Sequence, residues 1–153
     1  LAEGLRLRRA GDADAQAAKA LTDAAYTPWI ALIGREPGPM LTDFSRAVRA
    51  HVIDLLYRDD KLVGMIETIP SDGFLYIENV AILPEQHGQG LGRFLMAHAQ
   101  AFALSLGLPE LRLHTNARFA RNLKLYAALG FVETERVQAM RVGTIVRMAK
   151  QLA

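Results

Sequence analysis

Apolar positions along the chain switch repeatedly between two periods. "LRLRRA" (5–10) alternates like a strand with one buried face, and "DADAQAAKALTDAAY" (12–26) is alanine-rich with acids in its first turn, as suits a helix start. "TPWIALIGREPGPM" (27–40) holds three prolines and two glycines and reads as a loop with one short helix, followed by another short helix at "DFSRAVRAH". "HVIDLLYR" and "KLVGMIETI" are strand-like runs joined by a polar "DD" turn, and "PSDG" leads into "FLYIENVAIL" (74–83), a nearly continuous apolar run suited to a central strand. From Leu91 the period becomes helical, through Leu95, Phe102 and Leu106 to a terminating Gly107. "ELRLHT" reads as a strand, "FARNLKLYAALG" as a helix closed by Gly130, and "FVETERV" and "GTIVRMAK" as two last strands.

The order β, α, (α), β, β, β, α, β, α, β, β predicts one α/β (α+β) domain over residues 1–153. The hairpin calls for antiparallel neighbours in the first half, and the helices between strands call for parallel ones in the second. A single mixed, mostly antiparallel sheet of about seven strands, flanked by about four helices, satisfies both. No internal repeat or long linker divides the chain.

Composition narrows the class. Hydrophobic residues make up 51% and charged residues 22%, a globular balance, and no apolar stretch approaches the length that crosses a bilayer. The opening "LAEGLRLRRAGDADAQ" shows no apolar segment of the signal-peptide kind, and cysteine is absent, which together lead to the expectation of a cytoplasmic protein. Absence of cysteine also excludes thiolate nucleophiles and cysteine-based metal sites. Net charge is +2 with basic residues scattered, so no nucleic-acid footprint is expected, while a small anionic ligand needs only a few local cations.

Candidate chemistry begins at "EQHGQGLGRFLM" (85–96), where a strand, a glycine-rich turn and a helix start follow one another. The first amides of a helix lack internal partners and carry the positive end of its dipole, so this order makes an anion site. Glycines let oxygens reach those amides, and Arg93 can add a charge-assisted contact. A P-loop would need Lys-Ser/Thr where Arg93 and Phe94 stand. A dinucleotide fingerprint would need a small residue at Arg93 and an acid ending the next strand, whereas Glu110 precedes it. A glycine-rich connection that binds nothing stays open. A second stretch, "HTNARFARNLKLYAALGF" (114–131), sets Asn122 and Tyr126 one helical turn apart, on one face with Phe119 and Leu129. Read alone, Tyr126 is as well explained as a core aromatic.

Together, "ENVAILPEQHGQGLGRFLM" and "RNLKLYAALGF" resemble the GNAT superfamily of acetyl-CoA-dependent N-acetyltransferases. The first resembles its strand, proline and Arg/Gln-x-x-Gly-x-Gly/Ala motif, with His87 at the Arg/Gln position; the second resembles its Asn-x-x-x-Tyr-x-x-Leu-Gly-Phe signature. The likeness runs through residues 5 to 150 in element order and is motif-specific over 77–131. It implies a GNAT-like fold and an N-acetyltransferase that moves an acetyl group directly, in a ternary complex without a metal, to a primary amine of a small molecule or peptide. The pyrophosphate of coenzyme A would rest on amides of His87, Gly88, Gln89, Gly90, Leu91, Gly92 and Arg93. Its pantetheine arm would pair with the main chain of Val80, Ala81 and Ile82, with Asn122 a further contact. Phe119 occupies a position where some members carry asparagine, so Asn116 and Asn122 compete for that contact.

The same resemblance gives Tyr126 the role of general acid toward the departing sulfur. Candidate bases are Glu78 beside the expected thioester and His114 on the next strand, with Glu67 a third; each has a plain structural alternative as a hydrogen-bonded or paired group. The loop "AYTPWIALIGREPGPM" is the place to expect acceptor contacts from Tyr26, Trp29 and Met40, since loops on rigid scaffolds carry specificity. The alternative is that Trp29 and Met40 seal the sheet edge. A homodimer is compatible with all of this. The reading from another class is a non-catalytic acyl-CoA-binding or regulatory module on the same fold, and a nucleotide-binding protein rests on the glycines alone.

Overall fold

A computed structural model describes residues 4–152. Seven strands form one sheet: β1 (Leu5–Arg9), β2 (Val52–Arg58), β3 (Lys61–Ser71), β4 (Phe74–Ile82), β5 (Glu110–Asn116), β6 (Val132–Ala139) and β7 (Gly143–Gln151). Their spatial order is β1-β2-β3-β4-β5-β7-β6. Helices α1 (Ala15–Tyr26), α2 (Ile30–Ile33) and α3 (Phe44–Ala50) lie before β2, α4 (Leu91–Ser105) joins β4 to β5, and α5 (Ala120–Ala128) joins β5 to β6. The mixed, mostly antiparallel sheet is therefore the expected one: only β4 and β5 run parallel.

Two apolar layers sandwich the sheet. Leu91, Leu95, Met96, Ala99 and Ala103 of α4 pack on Leu56, Val63, Ile66, Leu75, Leu111 and Val146 on one face. Ala18, Leu21 and Ala25 of α1 and Phe44 and Ala47 of α3 pack on Ile53, Leu55 and Met65 on the other. Each helix contributes the stripe that its 3.6-residue period predicts.

The second half departs from expectation in one respect. The helix between β5 and β6 suggests parallel neighbours, yet β7 inserts between them, antiparallel to both. Burial explains the choice: β7 supplies buried Val146, Met148 and Ala149, whereas β6 presents "VETER" to solvent. The apolar strand takes the inner slot, and the charged one becomes an edge that resists further pairing. The 27–42 segment is also more helical than a loop, with 3-10 turns at Thr27–Trp29 and Gly38–Leu41 around α2.

The feature that opens a site is in β4. Glu67 of β3 faces Asn79 and Thr68 faces Ile77, so Glu78 is an extra residue, a β-bulge. Pairing of β4 with β5 ends at Ile77↔Leu113. Beyond that point the two strands part, and their unpaired ends face a cleft.

Candidate active site

Two cavities meet in that cleft. One, of about 340 Å³, runs along the glycine turn and is bounded by Trp29, Val80, Ile82, Gly88, Gly90, Leu91, Gly92, Arg93, Arg121 and Leu125. The other, of about 420 Å³, opens between the ends of β4 and β5 and the 33–42 segment, with Arg35, Glu36, Glu78, Asn79, His114 and Phe119 in its wall. Tyr26, Val80, Asn122 and Tyr126 border both.

At the glycine turn, Gly88 (φ +79°) and Gly90 (φ +78°) take left-handed conformations that side chains resist. The first backbone bond of α4 runs from Phe94 N to Gly90 O, so the amides of Leu91, Gly92 and Arg93 have no acceptor within the helix. Arg93 and Arg121 border the same space, which is the donor set a diphosphate requires. His87 is engaged with protein: Nε2 lies 3.3 Å from Ile82 O and Nδ1 3.2 Å from Arg121 Nη1. With Arg121 donating to Nδ1, the ring must carry its proton on Nε2, and it then donates to Ile82 O. His87 thus aims Arg121, a residue the sequence did not suggest. The buried Gln86 Oε1 beside this cavity has no partner among the described residues.

Side chains at three of the expected positions are placed differently from one another. Gln89 is exposed and lines neither cavity, because the left-handed residues on either side turn it outward. Gly92 borders the cavity and also admits a neighbour: a Cβ there would meet Leu125 Cδ2 at 3.3 Å. The Ala81 side chain is buried against α1, which leaves Val80 and Ile82 as the strand residues facing the cavity.

Tyr126 projects from α5 to the junction, its ring 5.8 Å from that of Phe131. Burial pushes its phenol up to about 12, so it is protonated at neutral pH. Across the cleft, burial pushes the Glu78 carboxyl above its usual range; the nearby charge of Glu67 adds to this, while His114 and His51 oppose it. His114 is held below the ordinary imidazole value by desolvation and by Arg147, against the pull of Glu78. Its Nδ1 shares a hydrogen bond with the Tyr76 hydroxyl, a partner invisible to sequence reasoning because β4 and β5 are brought together only by the sheet.

Glu67, the third candidate base, borders neither cavity. It is wholly buried on the α1 side, its Oε2 2.6 Å from His51 Nδ1. Tyr26 reaches the junction, where its hydroxyl lies 2.9 Å from Asn79 Oδ1 and 3.1 Å from Val80 O and donates toward them. Trp29, expected among the acceptor contacts, stands beside the glycine-turn cavity, its ring 4.5 Å from Phe119. Met40 lines neither cavity; the 38–41 turn packs on α1 and buries it. Of the competing asparagines, Asn116 is occupied, its amide donating to Val142 O at 2.6 Å and its oxygen accepting from Arg118 N at 2.9 Å. Asn122 is the one that faces both cavities.

Known proteins match this architecture. A solved coenzyme A complex of PaiA N-acetyltransferase from Thermoplasma acidophilum superposes with a TM-score of 0.78 at 14% identity, covering 96% of this chain and 98% of that one. IAA acetyltransferase from Bacillus cereus gives 0.74 at 17% identity, over 97% and 99% of the two chains. A mycothiol acetyltransferase from Jonesia denitrificans is 32% identical over 88 residues, 56% of this chain; the match spans only 28% of that relative's length. The model of the acetyltransferase (GNAT) family matches residues 18–131. With that match running from α1 through β2–β5, the glycine turn and the Tyr126 helix, the chain belongs to the GNAT acetyltransferase family.

Proposed function

We propose that this chain is an acetyl-CoA-dependent N-acetyltransferase acting directly on a primary amine. The observation that carries the reading is the junction: one cavity ends in helix-start amides and arginines, the other in titratable groups, and Tyr126 and Asn122 stand in the wall of both. The family and the coenzyme A complex of the structural neighbour support it.

The glycine-turn amides from Gly88 to Arg93, with Arg93 and Arg121, would hold the diphosphate, and the open edge of β4 at Val80–Ile82 would align the acyl arm. The bound coenzyme supplies an activated acetyl thioester. An amine near the lysine reference pKa is roughly 99.9% protonated at pH 7, and freeing it costs about 4–5 kcal/mol. Glu78 takes that proton: its raised pKa makes it a stronger base than an ordinary carboxylate, and it sits in the acceptor cavity. His114, oriented by Tyr76, is the second candidate. A backbone N–H near Val80 supports the developing oxyanion, and Tyr126 gives its proton to the departing sulfur. With no cysteine in the chain, an acetyl-cysteine route is excluded.

Thiol release from acetyl-CoA across a panel of amines, with calorimetry of coenzyme A binding, tests the proposal. Turnover with at least one amine class is expected. Tight binding without turnover would favour an acyl-CoA-binding module, and preference for ATP or NAD over coenzyme A would favour a nucleotide binder.

A further inference from the structure

Arg35 has no assigned task. It follows Gly34, whose left-handed backbone (φ +78°) closes α2, and precedes the buried Pro37, so its place on the acceptor-cavity wall is set by a cap and a stiff segment. It is half-buried there, and among the described residues no hydrogen bond or ion pair engages its guanidinium. The next cation in the region, Arg118, is spent on the carbonyl of Leu32 at 3.0 Å. A guanidinium on a cavity wall that no protein group engages is available to receive an anion.

The cavity is polarised. Its inner end holds Glu78, His114 and the Tyr126 phenol, which suit an amine; its outer wall holds Arg35. Glu36 also borders the cavity, but it is exposed and forms no ion pair with Arg35, so its charge is met by water. Arg35 is likewise not within ion-pair distance of Glu78, so one ligand must extend to reach both. A polyamine would place a second ammonium near the guanidinium and be repelled. An amine carrying a carboxylate complements both ends.

Resting on the N-acetyltransferase reading, we infer that the acceptor is a small amine bearing a carboxylate, with Arg35 as its specificity-determining anchor. The test uses ω-amino acids of increasing chain length, their carboxamides and the matching diamines, with wild-type protein, Arg35→Ala and Arg35→Glu. Loss of one charge-assisted contact predicts that carboxylates exceed their carboxamides by roughly 10- to 100-fold in kcat/KM. Arg35→Ala is expected to remove that preference, and Arg35→Glu to turn it toward diamines. Calorimetry of the carboxylates on coenzyme A-loaded protein reads the anchor without turnover, and Arg35→Ala is expected to weaken it by a similar factor. Equal use of carboxylates and carboxamides, or carboxylate affinity unchanged in both variants, overturns the inference. Absence of turnover with every amine, alongside Arg35-dependent carboxylate binding, would instead sink the catalytic reading and leave the anchor standing.

Discussion

Gly92 stands opposite Leu125, so that a Cβ at position 92 would lie 3.3 Å from Leu125 Cδ2. The contact joins the start of α4 to α5, and thereby sets the distance between the glycine turn and the helix that carries Asn122 and Tyr126. Gly92→Ala is expected to be near neutral in stability, since about 1 kcal/mol of helix propensity offsets a small shift of a flexible leucine. Gly92→Val cannot be absorbed so easily and is expected to cost about 1–3 kcal/mol, read from urea unfolding, with a loss of turnover as α5 is pushed away.

Tyr126→Phe keeps the ring that packs on Phe131 and removes only the hydroxyl. Coenzyme A affinity by calorimetry is expected to stay within about twofold of wild type, while kcat falls by roughly 100-fold or more. Unchanged turnover would remove Tyr126 as the acid.

At Gly90 a side chain would meet both a left-handed backbone and the space assigned to the diphosphate. Gly90→Glu is expected to abolish coenzyme A binding through strain, bulk and charge. Undiminished affinity in the same titration would show that the turn binds something else or nothing.

The pH profile of kcat/KM follows from Glu78. A base must be deprotonated, so activity is expected to fall as pH drops through a pKa above the usual carboxylate range. Glu78→Gln should lower the rate and abolish that limb. If the limb persists in Glu78→Gln and vanishes in His114→Ala, the proton goes to His114.

Away from the cleft, Asp54 of β2 lies 2.8 Å from His98 Nε2 and 2.6 Å from Arg9 Nε. Burial alone would raise its pKa, but hydrogen bonds from His98 and Arg9 outweigh it and hold the carboxyl below its ordinary 3.8. A lowered carboxylate stabilises the fold above its unfolded pKa and loses that contribution as pH falls through the folded one. The gap in stability between wild type and Asp54→Asn, measured by urea unfolding, is therefore expected to be full at pH 7 and to shrink below about pH 4.

Local patterns carried far in this chain. Strand and helix periods predicted every strand, and the spacing of Gly88, Gly90, Asn122 and Tyr126 picked out residues that the fold gathers around one cleft. What local pattern does not encode is which element covers a given face. Hydropathy alone made Trp29 and Met40 equivalent, yet one borders the glycine-turn cavity and the other is buried under α1. Tyr76 and Arg121 became visible only through partners distant in sequence, His114 and His87. The inner position of β7 likewise depends on competition between two strands for one slot, which neither strand reveals by itself.

The parting of β4 from β5 follows from one surplus residue in a ladder, not from a hinge or a lid. A gap written into strand register is already open in the folded chain, so a visiting molecule meets it without a strand first having to unpair. Encounter should then be governed by diffusion and by the pull of the arginines at the rim, and association rates should fall with added salt far more than with added viscosity-neutral crowders. The chain has spent its conformational entropy in advance, during folding, on an aperture that is ready before either substrate arrives.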